Sequence, residues 1–242
     1  MNLKSFDIPA IFSQAWEVLK KNIKLFIVFP LISAAVIFTL LWLAVALQTI
    51  PYAGYALFGI LFIACALFAV YVLFVCVKAA IRILNGEAVS MRASLRIDLN
   101  EYLKFLETIV IMFVAVIVVY VVTNTLPGKI LGRHFITSVL TFILSIAGGS
   151  LASVILLPVP FMALENKYEK FWDVFKQSYE LTMPKLSQLL IFVWISFAVI
   201  LIGMIPFGLG FIITLPGILI ASAVVYKRQL DVKVSEASTL PL

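Results

Sequence analysis

Six stretches of this chain, at residues 25–47, 55–77, 105–126, 136–157 (with an extension toward 162), 186–205 and 209–225, are apolar and almost uncharged over roughly 20 residues each. At 1.5 Å per residue, about 20 helical residues cover the roughly 30 Å hydrocarbon core of a bilayer. Lipid offers no partner for backbone N–H and C=O groups, so such stretches can only be helices that satisfy their own hydrogen bonds. The whole chain agrees: 64% of its residues are hydrophobic and 12% charged, against roughly 45–50% and 25% in soluble domains. The expected fold is an all-α integral membrane protein of six transmembrane helices. One domain occupies residues 1–226, and residues 227–242 form a flexible cytoplasmic tail.

The charges set an orientation. Lys4, Lys20, Lys21 and Lys24 precede the first stretch, and Lys78, Arg82, Arg92, Arg96 and Lys104 lie between the second and third. Lys167, Lys170, Lys176 and Lys185 lie between the fourth and fifth, and Lys227, Arg228 and Lys233 follow the last. These segments fall on one side of a six-span topology, leaving only Lys129 and Arg133 on the other. Lys and Arg accumulate on cytoplasmic loops, so both termini are expected in the cytoplasm. The net charge of +6 is thus a topology signal. It is scattered over short segments with no basic stripe, and nucleic acid is not an expected partner.

The first 22 residues mix charge with apolar positions and lack a compact apolar run before a small-residue cleavage site, so the first stretch is expected to remain as an anchor. Neither end carries a lipidation signal. Cys65 and Cys76 lie about 16 Å apart if helical, too far to bridge within one helix.

An amphipathic segment precedes each pair of stretches. Ile8, Ile11, Phe12, Ala15, Leu19 and Ile23 recur at helical spacing, with Gln14, Glu17, Lys20, Lys21 and Lys24 opposite. Met91, Leu95, Leu99, Tyr102 and Leu106 do so in the second copy; Phe171, Trp172, Phe175 and Tyr179 in the third. Apolar residues at i, i+3 and i+4 with charge behind them suit helices in the headgroup plane. Residues 11–37 also align with 174–200 without a gap: Phe12 on Phe175, Gln14 on Gln177, Glu17 on Glu180, Trp16 on Tyr179, Ser33 on Ser196. The expectation is three repeats, about 6–84, 88–164 and 168–226, each an interfacial helix plus a transmembrane hairpin. Two-span units enter the membrane in the same sense, as in parallel-repeat transporters.

FSQAWEVLKKN near the start, FWDVFKQSYELTMPKL before the fifth stretch and GFIITLPGILIASAVVY at the end resemble segments of the YciC-like proteins. They also resemble the membrane domain found beside some glycerophosphodiester phosphodiesterases. The resemblance covers nearly the whole chain and implies a six-span topology in a bacterial inner membrane. It implies no reaction, since none of the three segments is a catalytic motif.

Few residues offer chemistry. Glu107 is the one carboxylate expected inside a span. It reads either as an interfacial residue beside Lys104 or as an intramembrane proton or cation site. Thr141, Ser145, Gly149 and Ser153 recur every four residues and suit a close helix contact or a polar cavity wall. Pro158, Pro160, Gly210, Pro216 and Gly217 interrupt the fourth and sixth spans, as kinks or as broken helices around a substrate. Trp16, Lys20, Lys21, Trp172, Lys176 and Tyr179 are the expected lipid-interface residues. His134 is the only histidine, so neither a zinc site nor a Ser-His-Asp set is expected; no cofactor, metal or catalytic residue is assigned. Three functions stand, in this order: a non-enzymatic, lipid-interacting or membrane-assembly component, as a homo-oligomer or with a membrane-protein partner; a transporter, channel or lipid-moving protein for hydrophobic or amphipathic cargo; and, last, an intramembrane enzyme.

Overall fold

The computed structural model describes residues 6–48, 53–96, 98–131, 135–165, 171–204 and 210–238, nearly all of them helical, with no strand among them. Helix α1 (Ile8–Lys21) starts where the Asp7 carboxylate accepts from the Ala10 N–H at 3.2 Å. It ends at Asn22, whose carboxamide donates to the Val18 carbonyl at 2.9 Å. A π-helical segment (Lys24–Val28) then leads into α2 (Phe29–Leu47), and α3 (Ala53–Leu84) returns. One turn, α4 (Met91–Ser94), is followed by α5 (Leu99–Leu131) and α6 (Phe135–Leu156). A break at Leu157–Pro158 separates α6 from α7 (Val159–Leu164). Helix α8 (Phe171–Thr182), a 3-10 turn (Met183–Lys185), α9 (Leu186–Met204) and α10 (Phe211–Ser238) complete the order.

Among the described residues five helical segments are long and apolar enough to cross a membrane: Lys24–Leu47, Gly54–Leu84, Leu99–Thr125, Ile136–Leu164 and Trp172–Met204. The chain is therefore read as a multi-pass helical membrane protein. Helix α10 is not among the five; its apolar part ends at Tyr226, before Lys227 and Arg228. From Phe211 that is about 24 Å of helix at 1.5 Å per residue.

Three boundaries differ from the sequence expectation. Helix α5 runs through Pro127 to Leu131, because a proline kinks a membrane helix without ending it when neighbouring groups serve the freed backbone. Helix α10 continues past Tyr226 to Ser238, so residues 227–238 extend a helix where a flexible tail was expected. No Gly or Pro stands between Tyr226 and Ser238 to stop it. The middle amphipathic segment is not one helix. The Asp98 carboxylate accepts from the N–H groups of Asn100 and Glu101 at 3.0 and 3.4 Å, starts α5 afresh and splits the stripe between α4 and α5.

Helix α1 does not present its apolar stripe to lipid. Ile11, Ala15 and Leu19 are buried, one turn apart. Arg228 of α10 donates to the Gln14 side chain at 3.2 Å, while a Cβ on Gly217 would lie 4.0 Å from a Leu19 methyl. The two helices thus run antiparallel, α1 alongside α10 between Gly217 and Arg228. Helix α8 likewise buries Val174, Ser178, Leu181 and Thr182 and leaves Trp172 and Tyr179 outside. Its Ser178 hydroxyl donates to the Ile155 carbonyl of α6. Trp172 and Tyr179 thus lie on the outer face of α8, and the smaller Ser178 and Thr182 make its approach to the bundle.

Contacts between elements gather the basic ends of the helices. Lys78 of α3 pairs with Glu101 of α5, the Tyr71 hydroxyl donates to the Leu95 carbonyl at 3.1 Å, and Lys227 of α10 pairs with Glu165 at 2.7 Å. Here large side chains pack fully buried, among them Phe26, Phe74, Phe105, Phe192 and Tyr226. Phe74 meets Tyr102 and Phe105 edge to face at 5.6 and 5.5 Å. Toward the opposite ends the described helices bury mainly small positions: Ser33, Ala44, Gly54, Cys65, Thr137 and Gly203, with Pro127.

Candidate functional site: an apolar cavity above the packed base

A cavity of about 850 Å³ lies among α2, α3, α5, α6, α7, α9 and α10. Its wall begins at the base with Phe26 and Val77. It reaches Ala34, Ala69, Val116, Ile200 and Ile212, about 9–15 residues from the lysine on each helix (Lys24, Lys78, Lys104, Lys185, Lys227). That is roughly 14–22 Å along the helices, the middle of a ~30 Å hydrocarbon layer. Among the described residues no charged side chain lines it, and apart from Ser153, Ser196 and Ser222 its wall is apolar.

Chain irregularities shape the wall. Pro160 starts the short α7 after the break that ends α6, and Pro216 sits inside α10; both line the cavity. Helices α9 and α10 approach closely at the far end, where a Cβ on Gly210 would lie 2.5 Å from the Gly203 carbonyl oxygen. Only glycine permits that approach.

The floor is polar. Phe161, a wall residue, stacks on Tyr226 at 5.6 Å between ring centroids. The Tyr226 hydroxyl donates to Glu165 at 2.6 Å, and Lys227 holds the other carboxylate oxygen of Glu165 at 2.7 Å. The side chains of Glu165 and Lys227 are 10% and 20% exposed, so this is a largely desolvated pair that ties the end of α7 to α10. Buried Gln229, one turn further along α10, has no hydrogen-bond partner for its amide among the described residues. Sequence reading missed this floor. Glu165 and Lys227 each simply follow an apolar run, and 62 residues separate them.

The sequence candidates divide. Ser153 lines the cavity, and its hydroxyl donates to the Gly149 carbonyl at 2.8 Å. Thr141, Ser145 and Gly149 are not in the wall; Ser145 bonds the Thr141 carbonyl at 2.7 Å. The close contact of α6 with α5 is made one residue earlier, at Gly148, where a Cβ would lie 3.0 Å from a Thr123 methyl. Gly149 faces open space. Glu107 is exposed on α5 and lies outside the cavity wall. Trp16, Lys20, Lys21, Trp172, Lys176 and Tyr179 are all exposed. Lys20 lies 5.9 Å over the Trp16 ring, and Trp172, Lys176 and Tyr179 share one outer face of α8 at helical spacing. His134 lies outside the described residues.

No family model, curated protein or solved structure matches the chain. The reading of the site therefore stands on its geometry.

Proposed function

We propose that this protein is a non-enzymatic, lipid-interacting component of a bacterial inner membrane, and that its cavity receives the hydrocarbon part of a membrane lipid. The observation that carries this is the cavity itself: about 850 Å³, uncharged, and reaching the bilayer midplane. Water has too few partners in such a space, whereas lipid tails are the surrounding solvent. At roughly 30 Å³ per methylene-sized group, an 18-carbon chain fills about 540 Å³.

The topology proposed is six spans with both termini in the cytoplasm. The close approach of Gly203 and Gly210 supports α10 as a sixth crossing, because it turns the chain straight back beside α9. The end of α10 then meets Glu165 and Gln14, each flanking a span on the basic side. The likeness of the first and third units draws support from burial at aligned positions. Ile11 and Val174, Ala15 and Ser178, Leu19 and Thr182, Phe26 and Leu189, and Ser33 and Ser196 are all buried; Trp16 and Tyr179 are both exposed. The bacterial location rests on the resemblance of the three sequence segments.

A second reading, movement of a hydrophobic cargo, is favoured by Pro160 and Pro216 in the cavity wall, since interrupted helices can hinge around a bound molecule.

Native mass spectrometry of the gently extracted protein tests the first reading. The expected result is retained lipid, lost in Ala34→Trp, which fills the cavity while the fold persists. A lipid-free protein, or lipid equally retained by Ala34→Trp, overturns it.

A further inference from the structure

The cavity is closed below and open above. Its lowest wall residues, Phe26, Val77, Phe161 and Phe192, are at most 3% exposed. Phe26 stands two residues from Lys24 and Val77 one from Lys78, so this floor lies at the headgroup boundary. Side chains from distant parts of the chain seal it. Phe12 of α1 packs on Phe192 at 5.7 Å between ring centroids, Phe161 stacks on Tyr226, and Lys78 pairs with Glu101. Higher in the wall, exposure rises. Leu31 and Leu73 are 47% and 36% exposed, and Val116, Phe197 and Leu215 are 49%, 51% and 41% exposed. The last three stand twelve residues from Lys104, Lys185 and Lys227, roughly 18 Å up the helices. Beyond them the close approaches at glycine stay within one hairpin: Gly54 against Leu47, Gly148 against Thr123, Gly210 against Gly203. The three hairpins thus rise from a sealed floor with the cavity between them.

Resting on the lipid reading of the cavity, we infer that its ligand is a lipid with a hydrocarbon chain longer than one leaflet, anchored in the leaflet opposite the basic ends and reaching down, tip first, to Phe26 and Phe161. With the floor sealed, a chain of the basic leaflet enters only sideways and higher up, and would have to turn back to reach the floor. A chain from the bilayer core descends to it directly. From the floor to the opposite headgroups is most of the roughly 30 Å hydrocarbon layer, and an ordinary acyl chain spans about half of that. The cavity volume of about 850 Å³ holds about 28 methylene-sized groups at roughly 30 Å³ each, more than one 18-carbon chain brings. The headgroup stays outside, because among the described residues no charged side chain lines the wall to receive it. Polyprenyl lipids belong to this class; phospholipids of ordinary chain length do not.

The test places the full chain in nanodiscs of phosphatidylethanolamine and phosphatidylglycerol. These contain either a polyprenyl phosphate or an 18-carbon phosphatidylglycerol, each with a diazirine at the chain end. Photolabelled positions are mapped by peptide mass spectrometry, with unlabelled polyprenyl phosphate as competitor. The expected result is labelling of the floor at Phe26 and Phe161 by the polyprenyl chain end, competed by its unlabelled form. Ala69→Trp, which narrows the wall above the floor, should abolish that labelling and leave labelling of outward residues such as Phe113 unchanged. Equal floor labelling by the phospholipid chain end overturns the long-chain class. Polyprenyl labelling confined to the upper wall, at Val116 and Leu215, or floor labelling that Ala69→Trp leaves unchanged, overturns the tip-first descent. Each of these results leaves the lipid reading intact. Labelling confined to outward residues by both probes, with none in the cavity, overturns the inference and the lipid reading together.

Discussion

The two halves of the bundle are built from different materials. At the basic end, helices from distant parts of the chain meet through large rings and paired charges: Phe74 against Phe105, Phe161 against Tyr226, Glu165 against Lys227. At the far end, the buried positions are small, and Phe38, Trp42, Phe62, Phe113 and Phe142 face outward. The difference follows from the solvent. Lipid tails are as apolar as leucine, so an exposed Phe costs little there, and helices associate only where small residues let backbones approach. At the basic end water and headgroups are near, and burying α1 and α8 against the bundle removes apolar surface from them. The cavity lies between the two regimes, above the last layer of large side chains.

This contrast can be broken by experiment. Phe74→Ala should cause the largest loss, about 3–4 kcal/mol of stability in detergent, because it empties a fully buried position between two aromatic rings. Phe113→Ala, on the lipid face, should stay within about 0.5 kcal/mol; equal losses at the two sites would erase the distinction. Glu165→Gln should cost about 2–3 kcal/mol by leaving Lys227 largely buried without its carboxylate. The double variant with Lys227→Met should regain part of that in the same unfolding measurement.

Within the far half, Gly148→Leu should destabilise the α5–α6 hairpin by about 1–2 kcal/mol, and Gly149→Leu should be close to neutral. Reversal of that order would move the contact face back to the one read from the four-residue spacing. The smallest expected effect belongs to Lys176. Lys176→Ala should leave thermal stability unchanged and weaken co-purification of anionic lipid by about 1 kcal/mol, measured by lipid exchange. A loss of folding instead would make α8 part of the base through its outer face as well.

Some of this was legible in residues alone. Five of the six apolar stretches read from hydropathy coincide with described helical segments long and apolar enough to cross a membrane, because length and apolarity act locally. Spacing also located Ser153 on the cavity wall, but could not separate the neighbouring Gly148 and Gly149. The stripe on α1 was legible as a stripe; that it covers α10 was not, because hydropathy does not say whether lipid or protein receives an apolar face. On α8 the buried face of Ser178 and Thr182 was not legible for the same reason, while Trp172 and Tyr179, amphipathic side chains suited to an interface, are exposed.

The sequence by itself determined that this chain forms apolar helices long enough to cross a membrane, with most of its cations in the segments between and beyond them. Those properties depend on residues near one another along the chain. Tertiary structure alone decided that α1 lies against α10, that Glu165 meets Lys227 and Tyr226, and that a cavity remains above them with Ser196 in its wall. Each joins residues tens to hundreds of positions apart, and a void is defined by what surrounds it, which no local pattern of side chains records.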